Sequence, residues 1–179
     1  MTTSPLKGGP TQPEVCAVAL NKLGVQKDDI AIDIGCGTGT VSLAIADTAR
    51  HVYAVDIRPE AIETARENIR SNGCTNITLV EGDAINLIND MDRIDVAFIG
   101  GTQGLTGMLT LLAEKRVRSI VVNAVLIETA SSAIQTMKSL GIFQEAVLLQ
   151  VSRSYDLLGK TMFKPINPIY IIHGGVVPC

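Results

Sequence analysis

Two acids and three glycines stand close together in the segment Ile30 to Asp56. Asp33 lies two residues before Gly35, and Gly35, Gly37 and Gly39 follow at alternate positions. Asp56 comes seventeen residues after the last glycine. Glycines at such spacing let a ligand approach the backbone closely. A dinucleotide site has G-x-G-x-x-G, so that a pyrophosphate rests on a helix N-terminus. Here the pattern is G-x-G-x-G with a carboxylate beside it, which would repel a pyrophosphate a few ångströms away. A ligand carrying an ammonium or a sulfonium would suit that carboxylate, and Asp56 is placed to accept from a pair of ribose hydroxyls.

S-adenosylmethionine has these groups. Its positioning needs a strand, a tight turn, a helix and a second strand, and the sequence supplies them in order. Ile30, Ile32 and Ile34 alternate as in a strand, Val41, Leu43, Ala44 and Ile45 follow at helical spacing, and Val52 to Val55 is a second β run ending at the acid. The pattern D-x-G-x-G-x-G with a downstream acid resembles the class I methyltransferase fingerprint. A third strand over Ile77 to Val80 ends at Glu81-Gly82-Asp83-Ala84. There an acid and the next backbone N–H could bond an adenine edge, or Asp83 could cap the helix that follows.

The remaining elements predict the sheet around this unit. Glu14 to Leu23 reads as a helix ended by Gly24, Pro59 opens another that Gly73 ends, and Ile94 to Ile99 reads as a central parallel strand. That strand runs into Gly100-Gly101-Thr102-Gln103-Gly104, either an anion nest or a flexible turn. Leu105 to Arg116 is helical, Ile120 to Val125 is a fifth strand, and Thr129 is placed to cap a helix reaching Leu140. Phe143 to Val151 and Ile169 to Ile172 are two further strands without a helix between them, which predicts an antiparallel pair at one edge. Ser152 to Lys164, between them, is polar, with Arg153, Lys160 and Lys164. The fold class expected is α/β: a class I S-adenosylmethionine-dependent methyltransferase fold with a seven-stranded, mostly parallel sheet, helices on both faces and an antiparallel edge.

Composition bounds the function. The 179 residues suit one domain, 1–179, with residues 1–13 an N-terminal arm rich in proline and glycine. Apolar residues make up 46%, yet no run nears the ~20 residues of a membrane span, and no signal pattern opens the chain. The expectation is a cytoplasmic protein with no membrane partner. Cys16, Cys36, Cys74 and Cys179 lack zinc spacing, so no metal is expected. A net charge of −3 without a basic block, together with few aromatics, argues against nucleic acid. His51 and His173 read as structural. Asn167-Pro168-Ile169-Tyr170 imitates the N-P-P-Y signature of amino-group methyltransferases but falls at the wrong strand, where a proline opens the last β run.

Four further motifs narrow the family: Gly-Gly-Pro-Thr-Gln-Pro-Glu-Val (8–15), Ile-Gly-Gly-Thr-Gln-Gly (99–104), Asn-Ala-Val-Leu-Ile-Glu-Thr (123–129) and Asn-Pro-Ile-Tyr-Ile-Ile (167–172). In this order the set resembles the decarboxylating precorrin methyltransferases of cobalamin biosynthesis, which act at carbon 15. The family usually has Pro-Gly-Pro-Thr in the arm, where this chain has Gly-Gly-Pro-Thr. The resemblance implies S-adenosyl-L-methionine as cofactor and a tetrapyrrole substrate, cobalt-precorrin-6B or its metal-free analogue, methylated at carbon 15 with loss of the ring C acetate carboxyl. It implies cofactor contacts at Thr11, Gly35, Cys36, Gly37, Thr38, Gly39, Asp56 and Ala84, and a homo-oligomer, commonly a tetramer. Gly101, Gln103 and Arg153 are the substrate-side candidates, with Lys160 and Lys164 beside Arg153 as a clamp for carboxylates or else ordinary solvated surface. No catalytic side chain is assigned, because an electron-rich ring carbon can attack a sulfonium methyl without a strong base. Thr11 is expected near the methionine end of the cofactor, with the arm folded over it. The competing expectations are a class I methyltransferase for another small metabolite or for tRNA, a cofactor-binding module without catalysis, and a dehydrogenase.

Overall fold

Residues 9–176 are described by a computed structural model. Pro5 and Gly8 of the expected arm, and Cys179, lie outside the described residues. In chain order the elements are α1 (Pro13–Leu23), β1 (Ile30–Ile34), α2 (Thr40–Ala46), β2 (His51–Asp56), α3 (Pro59–Ser71), β3 (Ile77–Glu81) and α4 (Ala84–Asp90). They continue with β4 (Val96–Ile99), α5 (Leu105–Glu114), β5 (Ser119–Ala124), α6 (Ile127–Ser139), β6 (Phe143–Leu149), β7 (Ser152–Leu157), β8 (Lys160–Pro165) and β9 (Ile169–Gly174).

Seven strands form one sheet in the order β3-β2-β1-β4-β5-β9-β6. β1 to β5 are parallel, while β9 runs antiparallel between β5 and β6. The strand order therefore reverses at β1 and β4, the place where open α/β sheets leave a crevice at the strand carboxyl ends. Period-two alternation separates two cores. Ile32, Ile34, Ala97 and Ile99 face α4, α5 and α6, whereas Ala31, Val96 and Phe98 face α1 and α2. Ile32, Ile99 and Leu109 are fully buried, each stabilising the fold by roughly 1.5–3 kcal/mol relative to exposure.

Helix boundaries follow local chemistry. Pro13 and Pro59 sit at the first helical positions, where a missing N–H costs nothing. Gly24 takes the left-handed conformation that ends α1. One expectation fails. Thr129 caps no helix: α6 begins at Ile127 with Leu126 at its N-cap and no side-chain cap bond, so Thr129 lies within the first turn. The polar stretch 152–164, for which the sequence pattern predicts no element, forms the hairpin β7–β8, a separate two-stranded sheet in which every residue of both strands is exposed. Its sequence lacks the buried-face alternation that marks a strand packed on a core, which hid it.

Candidate active site

A cavity of about 430 Å3 opens at the carboxyl ends of β1, β2 and β4. Its walls carry nearly every residue expected at a cofactor. Thr11 lines it with Gly9 and Pro10; Gly35, Cys36, Gly37 and Thr38 line it from the first turn; Asp56 and Ala84 line it from the ends of β2 and β3. Gly39 is not part of the wall: it is the left-handed N-cap of α2, and an added Cβ would press on Ala65 at 3.3 Å. Gly101 and Gln103 line the opposite side.

The turn is built by close backbone approach. Gly35 and Cys36 donate to the Val55 carbonyl, and a Cβ on Gly35 would stand 2.4 Å from the Gly101 nitrogen. The glycines of the two loops thus touch each other, which neither loop alone reveals. Gly100 and Gly101 both donate to the Ile34 carbonyl, at 2.8 and 3.0 Å. The N–H groups of these two glycines are committed to β1, so neither contributes to an anion nest. Gly37 differs: at φ 55° its missing Cβ faces open space, with only the Arg58 Nη2 atom within reach at 3.9 Å.

Asp33 is wholly buried beneath this floor and lines the cavity. Ser42 of α2 donates to its Oδ2, while Oδ1 has no partner among the described residues. Burial pushes its carboxyl up to about 7, partly offset by the Ser42 bond and reinforced by the nearby Asp56 charge. A buried acceptor left unpaired in a cavity wall is costly and invites a donor. A ligand ammonium would satisfy it and restore its charge. Cys36 is not a nucleophile, because burial and the two acids push its thiol upward.

Asp56 is held differently. Gly37 N donates to Oδ2 at 3.0 Å and Arg58 N to Oδ1 at 3.0 Å, while the Arg58 guanidinium binds both oxygens at 2.9 Å. Burial opposes ionisation here, but the Arg58 and Gly37 bonds outweigh it and lower the pKa. Arg58 was not singled out by sequence; its position two residues after the acid, turning into α3, was the available sign. Ser42 was missed too, although a serine among the apolar residues of α2 marked a buried polar partner. So was Asn68, which donates from α3 to the Thr38 carbonyl at 2.8 Å and ties that helix to the glycine turn.

Asp83 caps α4, accepting from Ile85 N and Asn86 N through Oδ1. It also lines the cavity, so the capping role is observed and the adenine role is compatible with it. Ala84, at the first helical position, has an N–H with no acceptor inside the helix. Arg153 is not brought to the cavity. It lies on the hairpin, paired with Glu14 through Nη2 at 2.5 Å, and Lys160 and Lys164 share that hairpin rather than the cavity wall. The histidines stand elsewhere as well. His51 meets Thr78 at 2.9 Å, and His173 meets Ser119 at 3.1 Å. Ser119, His173 and Glu145 resemble a nucleophilic triad, but His173 and Glu145 are 3.8 Å apart and Ser119 is buried in β5 away from the cavity. Among the described residues no cluster could hold a metal, and no helix is long and apolar enough to cross a membrane.

The family model for the precorrin methyltransferase domain matches residues 7–174. This chain belongs to that family. A relative from Methanosarcina acetivorans, named as a probable cobalt-precorrin-6B C(15)-methyltransferase (decarboxylating), is 49% identical over 94% of this chain and 95% of its own length. The solved structure of precorrin-8W decarboxylase from Methanobacterium thermoautotrophicum superposes with a TM-score of 0.89 at 37% identity, covering 94% of this chain and 92% of that one. An S-adenosylmethionine-dependent O-methyltransferase from Thermotoga maritima shares the fold at a TM-score of 0.76 and 16% identity, covering all of this chain and 69% of that one. The α/β methyltransferase fold expected from the motifs is therefore the fold of this precorrin methyltransferase family member.

Proposed function

We propose that this chain methylates carbon 15 of cobalt-precorrin-6B, or of metal-free precorrin-6B, with decarboxylation of the ring C acetate to give cobalt-precorrin-7. The observation that carries the cofactor side is the cavity itself. A glycine floor open at Gly37 lies beside the unpaired Asp33 Oδ1, with Asp56 and Ala84 at the ends of neighbouring strands. The substrate side rests on family membership and on the name carried by the Methanosarcina relative.

The residues present fit S-adenosylmethionine. Asp33 would meet the ammonium, Asp56 the ribose hydroxyls, and the Ala84 N–H with the Asp83 carboxylate the adenine edge, while Thr11 from the arm would donate to the methionine carboxylate. When bound, the cofactor supplies a methyl group on a sulfonium, open to in-line attack by a ring carbon. The chain's part is to align the two reactants and exclude water, with Gly101 and Gln103 on the substrate side. Loss of the carboxyl as carbon dioxide leaves the electron pair of the broken carbon–carbon bond on the substrate, where the conjugated ring accepts it and a proton takes the place of the carboxyl. The protein acts in the cytoplasm as a single domain.

A homo-oligomer, with a tetramer favoured, is part of this reading. The hairpin exposes Tyr155, Leu157, Met162 and Phe163 without a core of its own. Arg153, Lys160 and Lys164 could then face the site of a neighbouring copy.

Incubation with methyl-labelled S-adenosylmethionine and cobalt-precorrin-6B is the decisive experiment. Mass spectrometry should show a product that has gained one methyl and lost carbon dioxide. Methyl gain without carbon dioxide loss, or label entering tRNA instead, would sink the proposal.

A further inference from the structure

The Asp56 carboxylate is saturated before any ligand arrives. An ionised carboxylate offers about four lone-pair positions, and here four donors fill them. Arg58 N and Nε are on Oδ1; Gly37 N and Arg58 Nη2 are on Oδ2. Two of these bonds come from backbone and are fixed by the turn and by the start of α3. The other two come from one edge of a guanidinium, which places one donor on each carboxylate oxygen. A vicinal diol places its two hydroxyl donors in the same way. The guanidinium also lies over Gly37, its Nη2 being the nearest atom to the missing Cβ.

We propose that Arg58 is a latch on the diol subsite: its guanidinium holds the two acceptor positions that a ribose needs, and cofactor binding must displace it. The inference rests on the assignment of S-adenosylmethionine to this cavity. Displacement is a side-chain rotation, since the Arg58 backbone N–H can stay on Oδ1. The Arg58 side chain is about a third exposed, so the departing charge moves toward water rather than through the core. The latch gives the buried carboxylate a counter-charge in the ligand-free protein, where it would otherwise keep only its two backbone bonds. Its consequence is that measured affinity is the intrinsic affinity reduced by the fraction of molecules with the latch open.

Arg58→Ala tests this because a latch and a mere support predict opposite signs. By titration calorimetry with S-adenosylhomocysteine, the latch predicts binding about three- to tenfold tighter than wild type, a gain kept modest by the exposure of the pair. Arg58→Lys, which keeps the charge but can reach one oxygen at a time, should fall between the two. A 2′-deoxy analogue should lose more affinity in Arg58→Ala than in wild type, because in wild type the guanidinium can stay half engaged. Thermal melts of the ligand-free proteins establish that both variants fold. Equal or weaker binding of S-adenosylhomocysteine by folded Arg58→Lys and Arg58→Ala would overturn the latch. Absence of binding by wild type and both variants would overturn the cofactor assignment itself, and the latch with it.

Discussion

Asp33 is the residue whose ionisation the fold controls most directly. Its carboxyl is pushed up to about 7, against 3.8 for the ordinary group. The native state therefore keeps a proton that the unfolded chain releases between those values. The stability this adds is full below pH 3.8 and is lost as pH rises through 7. Asp33→Asn should consequently stabilise the ligand-free protein at pH 8, by about 1–4 kcal/mol, and leave a flatter dependence of stability on pH. Ligand binding has the opposite preference, because an ammonium beside Oδ1 favours the carboxylate. Affinity for S-adenosylhomocysteine should rise with pH from 5 to 7, by up to about tenfold per unit, and level off above. Denaturant melts and calorimetry across that range check both halves. A flat affinity profile in wild type would remove Asp33 from the ammonium site.

The elements were mostly legible because their signals are local. The run Ile30 to Ile34, the proline at the start of α3 and the glycine after α1 each fix a boundary with the residues at hand. What stayed hidden were relations between elements. That Gly35 packs on Gly101 depends on β1 and β4 being neighbours, and that Ser42 answers Asp33 depends on α2 covering β1. The place of Arg153 was hidden because a cation in a polar stretch can face any partner, and here it pairs with Glu14 of α1. The arm belongs to this scale too. Gly9, Pro10 and Thr11 line the cavity, whereas α1 begins at Pro13 and the sheet at Ile30. Deleting residues 1–12 should thus leave the melting transition in place and weaken S-adenosylhomocysteine binding at least about tenfold, near 1.4 kcal/mol. Unchanged affinity in a folded deletion variant would show that the arm is only a border of the cavity.

At the scale of the molecule, the hairpin sets the open question. The seven-stranded sheet carries helices and a buried core on both faces, so its fold does not depend on the hairpin. Among the described residues β7 and β8 pair only with each other, and a lone two-stranded ribbon is marginal in water. Register puts Tyr155 opposite Met162 on one face, with Leu157 beside them, and Phe163 on the other face at 66% exposure. Apolar side chains on both faces of a ribbon outside the core fit an interface between copies, which would bury them together. Sedimentation of the wild type should therefore show an oligomer, expected to be a tetramer, at micromolar concentration. The double substitution Met162→Asp and Phe163→Asp should shift it to smaller species while the sheet keeps its circular dichroism, since neither residue touches the main core. Such a variant also separates assembly from chemistry. If Arg153, Lys160 and Lys164 serve a neighbouring site, its S-adenosylhomocysteine affinity should hold within about twofold while turnover of the carboxylated substrate falls about tenfold or more. A wild type that sediments as a monomer, or a variant that stays fully assembled, would remove the hairpin from the interface. An assembly that is lost with turnover intact would instead leave the hairpin as the interface and place the substrate's cations on the chain's own cavity wall.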